Sequence, residues 1–410
     1  VIALLKLVLV FAGIVLLLSR KWNLGLVLVL ASIAAGLLFT YPLPEIIRDV
    51  LFTAIDLLTL RLILIVVLIM VLGEMLRQTA STKGMVEALQ ALIPSGRIVI
   101  AALPAMIGLL PMVGGAMFSA PMVDEVGDRL EVNSARKTFV NYWFRHIWEP
   151  VFPLYPSMLL AAELMDLTPR QLAHATWPLA VAALLGGLLF GLLGLPRQGN
   201  GDLPHVPRAQ SLRRLTTSIW PIALVITLSF TLPVDERLTL IISLLVTIVL
   251  TITVKHIPPH DLTAILRECI PWNTVIVIFG ALIFRCVLEN SGAVIAVSEA
   301  LTALNIPLAA IAFGAPFIAG LLTGLVTAGF SIGFPVTLAL IAVDGGTIAP
   351  GWAAWLLTGG FIGTMLSPVH LCLGLTRVYF KAEWGPIYRL LVPSALLVTA
   401  TAAGMLLLDH

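Results

Sequence analysis

The stretch 145-RHIWEPVFPLYP-156 decides how this chain is read. An arginine, a histidine and a glutamate fall within five residues, and prolines stand at 150, 153 and 156. The run lies inside a segment, 137–165, that is too long for a simple membrane span. From Lys137 to Glu149 is about 18 Å of helix, more than half of a hydrocarbon core of about 30 Å. Proline removes a backbone N–H and clashes with the preceding turn. Three at this spacing free carbonyls near mid-depth, where carbonyls and half-helix ends can hold ions or the polar groups of a substrate. The plainer alternative is a packed kink whose backbone is satisfied by neighbouring helices.

Working outward, the surroundings are those of a membrane protein. Of 410 residues, 59% are hydrophobic and 11% charged, against about 25% charged in soluble domains. Mean hydropathy is +1.05. A net charge of +2 gives no reason to expect nucleic acid. Cys269, Cys286 and Cys372 lie in or beside apolar segments at no metal or disulfide spacing and read as small core residues. The opening segment 1–19 is long enough to span and lacks the cleavage motif of a signal peptide. P-loop, HExxH and CxxC motifs are absent from the sequence, which leaves ATP-driven transport by this chain without support, and the GxSxG spacing at 329-GFSIG-333 falls in a glycine-rich apolar region.

Spans of about 20 apolar residues are expected at 1–19, 23–41, 51–77, 137–165, 174–195, 215–232, 236–255, 271–290, 352–380 and 386–408. Two further apolar regions, 97–123 and 306–343, are rich in Gly, Pro, Ser and Thr and make poor uninterrupted helices. They suit re-entrant hairpins, with tips at 114-GGAMFSAP-121 and 329-GFSIGFP-335. The chain also repeats: Pro104, Gly108, Phe118 and Ser119 match Pro316, Gly320, Phe330 and Ser331, and Glu149-Pro150 matches Ser367-Pro368. The predicted architecture is all-α: a first repeat, 1–195, a linker loop, 196–214, and a second repeat, 215–410. Each repeat crosses the membrane five times and contains a hairpin and an interrupted helix (137–165 and 352–380). Five is odd, so the halves enter from opposite faces, the inverted-repeat plan of many secondary transporters. Of 24 Lys and Arg, 17 fall on the side reached after the first helix, 4 on the other and 3 within spans. The positive-inside rule then puts both termini on the non-cytoplasmic side of the cell (inner) membrane.

The candidate site residues follow from the breaks and the tips. Arg145 and Glu149 are spaced so that they can pair on one helix face. They form either an internal salt bridge or a functional pair, with Arg145 holding an anion and Glu149 or His146 taking a proton. His370 lies two residues beyond Pro368 in the second break, 365-MLSPVHLCLGLTR-377, beside Ser367. At the tips, Gly114, Gly115 and Ser119, and Thr323, Thr327 and Ser331, offer backbone and hydroxyl groups without bulk. Small-residue packing between helices is the competing reading. Arg377 reads as an anchor. The stretches 82–97 and 258–269 read as amphipathic interfacial arms.

Hairpin, interrupted helix and inverted repeat, with 114-GGAMFSAP-121 and 329-GFSIGFP-335 as tips, resemble the ion transporter superfamily. That group takes in gluconate permeases, divalent-anion:sodium symporters, tripartite-transporter membrane subunits, arsenite permeases and sodium/proton antiporters. The 145-RHIWEPVFPLYP-156 stretch most resembles an integral-membrane branch of unknown function. The resemblance implies an elevator mechanism, in which a transport domain of hairpins and broken helices slides against a scaffold, usually in a homodimer. Divalent-anion:sodium symporters carry Ser-Asn-Thr at each tip, and neither asparagine is present here. That weakens the case for a dicarboxylate and for Na+, and puts proton coupling on at least equal footing.

The expectation is a secondary transporter of a small organic anion, coupled to H+ or Na+, with no other cofactor. Substrate contacts would come from Gly114, Gly115, Ser119, Arg145, Thr327, Ser331 and His370, and ion coupling from His146, Glu149, Thr323 and Ser367. The rivals are a cation/proton antiporter or anionic-lipid carrier of the same fold, and an intramembrane enzyme using His146 and Glu149. The topology has a direct check in a background lacking the native cysteines. A cysteine placed in the 196–214 loop should react with a membrane-impermeant maleimide only after permeabilisation, and one placed at 166–170 should react before it.

Overall fold

A computed structural model describes residues 2–409 except 80, 94, 111–114, 197–206, 233–234, 259, 261, 264, 266–269, 305–306 and 342–347. It is helical, with no strand among the described residues. The first helices are α1 (Ile2–Ser19), α2 (Leu24–Leu38), α3 (Leu43–Ile55), α4 (Leu57–Gln78) and α5 (Ser81–Leu92). The first hairpin is α6 (Gly96–Gly108) and α7 (Gly115–Arg129), and the first interrupted helix is α8 (Ser134–His146) and α9 (Pro156–Leu164). Next comes α10 (Pro169–Gly186), which runs into a π-helical turn, Gly187–Leu192. In the second part, α11 (Arg208–Thr231), α12 (Glu236–Lys255), α13 (Trp272–Asn290) and α14 (Ala293–Ala303) precede the second hairpin, α15 (Leu308–Thr323) and α16 (Val326–Ile341). The second interrupted helix is α17 (Pro350–Met365) and α18 (Leu371–Tyr379), and α19 (Trp384–Leu408) closes the order.

The ends are written in the local sequence. Asn23, Asp56, Asn133 and Asp235 accept backbone N–H groups at the starts of α2, α4, α8 and α12. Thr168 and Gln171 form a capping box on α10. Pro156, Pro169 and Pro350 occupy first-turn positions, where a missing N–H costs nothing.

Among the described residues, six helices are long and apolar enough to cross a membrane alone: α1, α4, α10 with its π turn, α12, α13 and α19. The other four expected spans fall on α2, with 15 residues, α11, with 24, and the two interrupted helices. The expected span 51–77 is divided: Asp56 takes an extended conformation, ends α3 and caps α4. The arm expected at 82–97 is α5, whereas most of 258–269 lies outside the described residues. The second hairpin turns at Gly324, in the left-handed conformation with φ +66. Ser331 and the 329–335 stretch therefore lie inside α16 rather than at the tip.

Packing partners recur in corresponding pairs. α6 packs on α7 and α8, and α15 on α16 and α17. The second arm of each interrupted helix crosses to the other hairpin, α9 to α16 and α18 to α7. Outside them, α2 packs on α13 as α4 does on α12, α5 on α11 as α1 does on α14, and α10 packs on α19. The outer end of α9 is tied to α12 and α13. Arg237 pairs with Glu163 at 3.1 Å, and Arg285 donates to the Glu163 carbonyl at 3.0 Å and pairs with Asp166.

The α15–α17 contact depends on bare backbone: a Cβ built on Gly363 would run into the Phe317 carbonyl. Gly363→Ala should therefore destabilise by about 1–3 kcal/mol, visible as a lower unfolding midpoint in detergent. Gly404→Ala, whose Cβ meets nothing within 4 Å, should not lower it.

Candidate functional site at the two helix breaks

Both interruptions are non-helical stretches held by side chains from other helices. In the first, residues 147–155, α8 stops at His146. Pro150 clashes with a carbonyl four residues back in any continued helix. Thr176 of α10 donates to the Pro150 carbonyl, and Tyr155 to that of Gly108. In the second, residues 366–370, Tyr142 donates to the Met365 carbonyl at 3.2 Å and Tyr388 to that of Leu366 at 2.7 Å. Ser367 donates to the Leu321 carbonyl at 2.6 Å, which fastens the break to α15. An unpaired polar group in hydrocarbon costs several kcal/mol. Side chains thus donate to the Pro150, Met365 and Leu366 carbonyls at the breaks.

Along α8 runs a polar stripe at four-residue spacing: Lys137, Asn141 and Arg145. It faces α7 and the first hairpin. Lys137 pairs with Asp124 at 2.6 Å and with Asp128. Asn141 accepts from Ser119 at 2.6 Å and donates to the Ala116 carbonyl at 2.8 Å and to Thr376 of α18 at 3.3 Å. Arg145, 4% exposed, lays its guanidinium against Gly115, where any Cβ would collide with it. Asn141 is not among the residues that the sequence pattern singles out. The signal was present, since an amide in an apolar segment lies one turn from Lys137 and one turn from Arg145.

The second hairpin meets its own break in a similar way. Thr323 donates to the Ala319 carbonyl at 2.7 Å, and the Gly324 backbone abuts His370. His370 then faces His146 across the two breaks, with Nε2 atoms 3.4 Å apart.

The expected site residues divide. Gly115, Ser119, Arg145, His146, Glu149, Ser367 and His370 lie at the breaks or on the hairpin arms that pack on them. Gly114 falls outside the described residues. Ser119 sits within α7, its hydroxyl committed to Asn141. Thr327 is half-buried in the first turn of α16, and Ser331, fully buried, reaches only the Ala328 carbonyl of its own helix at 3.5 Å. Among the described residues, Arg145 and Glu149 do not form an ion pair with each other within 4.0 Å. The helix ends at His146, so the pair does not share a continuous helical face. Glu149 keeps one carboxylate oxygen, Oε2, buried without a hydrogen-bond partner. Arg377 stacks on the Trp384 ring at 4.7 Å.

A cavity of about 920 Å³ opens between α1 and α15, lined by Leu7, Phe11, Val15, Ile318 and Leu322, with Thr323 and Val369 on its wall. Val369 adjoins His370, so this apolar space reaches the edge of the second break.

Among solved structures, the crystal structure of the Alcanivorax borkumensis YdaH transporter, described as revealing an unusual topology, is similar to this chain. The TM-score is 0.60 at 16% identity, over 84% of this chain and 84% of that one. At that identity the likeness is one of fold. With the six apolar helices, it makes the chain a multi-pass membrane protein with a fold found in a transporter. Residues 3–408 match the family described as Protein of unknown function (DUF401), and the chain belongs to that family. No curated protein matches it.

Asn141 joins α7, α8 and α18, so its loss should be costly. Asn141→Leu takes an acceptor from Ser119 and a donor from the Ala116 carbonyl and Thr376, where a buried group left unsatisfied costs about 1–3 kcal/mol, although Ser119 keeps the Ala116 carbonyl within reach at 3.3 Å. The unfolding midpoint should fall more than for Ser119→Ala, which leaves Asn141 its other two bonds.

Proposed function

We propose that this protein is a secondary active transporter of a small organic anion, coupled to H+ or Na+, and that its fold is of the ion transporter superfamily type. The observation that carries the reading is Arg145. A fixed positive charge lies almost fully buried between the first hairpin and the first break, and ionisable groups inside membrane proteins commonly mark substrate or ion pathways. The second arms α7, α9, α16 and α18 all begin at the hairpins and breaks, so their positive dipole ends also favour an anion there.

The halves 1–195 and 215–410 are read as inverted repeats. What supports this is the paired packing, α6–α8 with α15–α17, α9–α16 with α18–α7, and α2–α13 with α4–α12. In an elevator cycle the hairpins and interrupted helices move together past α1–α4 and α11–α13, in a homodimer in the inner membrane. The ion pairs tying α9 to α12 and α13 are contacts such a movement has to exchange. Glu149, with its unpartnered oxygen, is the group assigned to carry a coupling proton. Arg145, Gly115 and His370 face the substrate. No catalytic step is assigned.

The apolar cavity beside Val369 favours a second reading, in which the anion carries an apolar tail, as a lipid headgroup does. Short-chain and long-chain acids tested side by side separate the two.

Protein reconstituted in liposomes should accumulate a labelled carboxylate under an imposed pH or sodium gradient. Arg145→Ala should abolish uptake, and Arg145→Lys should lower it at least tenfold, because an ammonium cannot reproduce the planar fork. Glu149→Gln should keep counterflow exchange and lose pH-driven accumulation. A broad panel of organic acids that gives neither uptake nor a thermal shift contradicts the reading.

A further inference from the structure

His146 and His370 are arranged in a way that anion binding does not account for. The His146 Nδ1 lies 2.7 Å from the Tyr142 carbonyl, and the His370 Nδ1 lies 2.6 Å from the Gly324 carbonyl. A carbonyl only accepts, so each Nδ1 carries its hydrogen, and in a neutral ring each Nε2 is then a bare lone pair. These two nitrogens face each other at 3.4 Å. Two lone pairs so placed repel unless something positive joins them.

A proton and a metal cation are the two candidates. N–H hydrogen bonds run at about 2.7–3.2 Å between heavy atoms, shorter than this separation. Two imidazole nitrogens on a tetrahedral Zn2+, each at about 2.0–2.1 Å, stand about 3.4 Å apart. The ring centroids are 5.2 Å apart and the planes are inclined at 73°. That centroid distance is less than two rings lying along one N–N line would give. The rings are bent off a common axis, as two ligands of one centre are.

A third donor completes the argument. Cys372, buried, follows His370 by two residues on α18. Its Sγ and one ring nitrogen from each imidazole all lie within 4.8 Å of one another. Two imidazoles and a thiolate suit Zn2+ or Cu+ and not Na+, Mg2+ or Ca2+. The Nδ1–H bonds to backbone carbonyls are the outer-shell contacts that fix the tautomer of a ligating histidine.

We propose that His146, His370 and Cys372 form a three-ligand site for a borderline or soft transition-metal cation of the Zn2+ class. It joins the end of α8 to the start of α18, and so one break to the other. The site does not depend on the anion-carrier reading. An ion held there bridges the two interrupted helices and excludes a second proton from the Nε2 of either imidazole.

The full chain, purified in detergent and stripped with a chelator, is titrated with Co2+ and then with Zn2+. One equivalent of Co2+ should bind, with a thiolate-to-cobalt charge-transfer band in the near ultraviolet and tetrahedral d–d bands in the visible, and Zn2+ should bleach both. Cys372→Ser should remove the charge-transfer band. His146→Gln and His370→Gln should each weaken binding at least 100-fold, and His174→Gln, on the surface, should change nothing. Should a variant not fold, the wild-type chain still decides: Zn2+ should protect Cys372 from alkylation and leave Cys286 reactive. Wild-type protein without a charge-transfer band, a band that survives Cys372→Ser, or alkylation of Cys372 unaffected by Zn2+ overturns the site. Such results would leave the histidines as a pair sharing a proton.

Discussion

Within hydrocarbon, a backbone carbonyl released from its helix must find another donor, and the centre of this protein is built around that demand. Two interruptions release carbonyls at depth. Thr176, Tyr142 and Tyr388, from α10, α8 and α19, supply donors to those of Pro150, Met365 and Leu366. Ser367 and Tyr155 bind the breaks to the first arms of their own hairpins. Each break is therefore fastened to helices outside its own, and the meeting of the breaks is fixed by hydrogen bonds with direction as well as by apolar packing.

That fastening gives the polar centre its order. Lys137, Asn141 and Arg145 stand at successive turns of α8, and α7 meets them in turn with Asp124 and Asp128, then Ser119, then the bare backbone of Gly115. Asn141 also reaches Thr376 on α18, so the stripe links the first hairpin to the second break. The pairwise correspondence of the packing is not matched by a correspondence of charge. The first break carries Arg145 and Glu149, whereas the second carries Ser367 and His370. The anion-binding part of the account rests on the first half. The metal-binding part needs both halves, since only their joining brings His146 to His370.

Much of the fold was legible from local chemistry. Prolines at 150, 153 and 156 together interrupt the helix, whereas single prolines at 104, 178 and 316 lie inside theirs, and the Gly- and Ser-rich composition of 97–123 and 306–343 marked two helical hairpins. Boundaries set by a single polar residue were harder. Asp56 divides an apolar run because its side chain caps α4, and hydropathy alone joins across it. Composition located the second hairpin but not its turn, which Gly324 fixes through its left-handed conformation, leaving Ser331 inside α16. The site was legible only as far as one helix extends. Arg145, His146 and Glu149 announce themselves within five residues, but the approach of His146 to His370 spans 224 positions, and no spacing rule reaches that far.

The central claim is that the two breaks and two hairpins form one body, distinct from the helices around them. The most direct measurement is a pair of spin-label distances in lipid, taken at two pH values and with and without candidate acids. One pair joins Ile98 on α6 to Val378 on α18, within the body. The other joins Val249 on α12 to Val378, and all three positions are exposed. The account predicts a first distribution that stays narrow and fixed, and a second that shifts or splits by several ångströms. A first distance that changes while the second stays constant would contradict it.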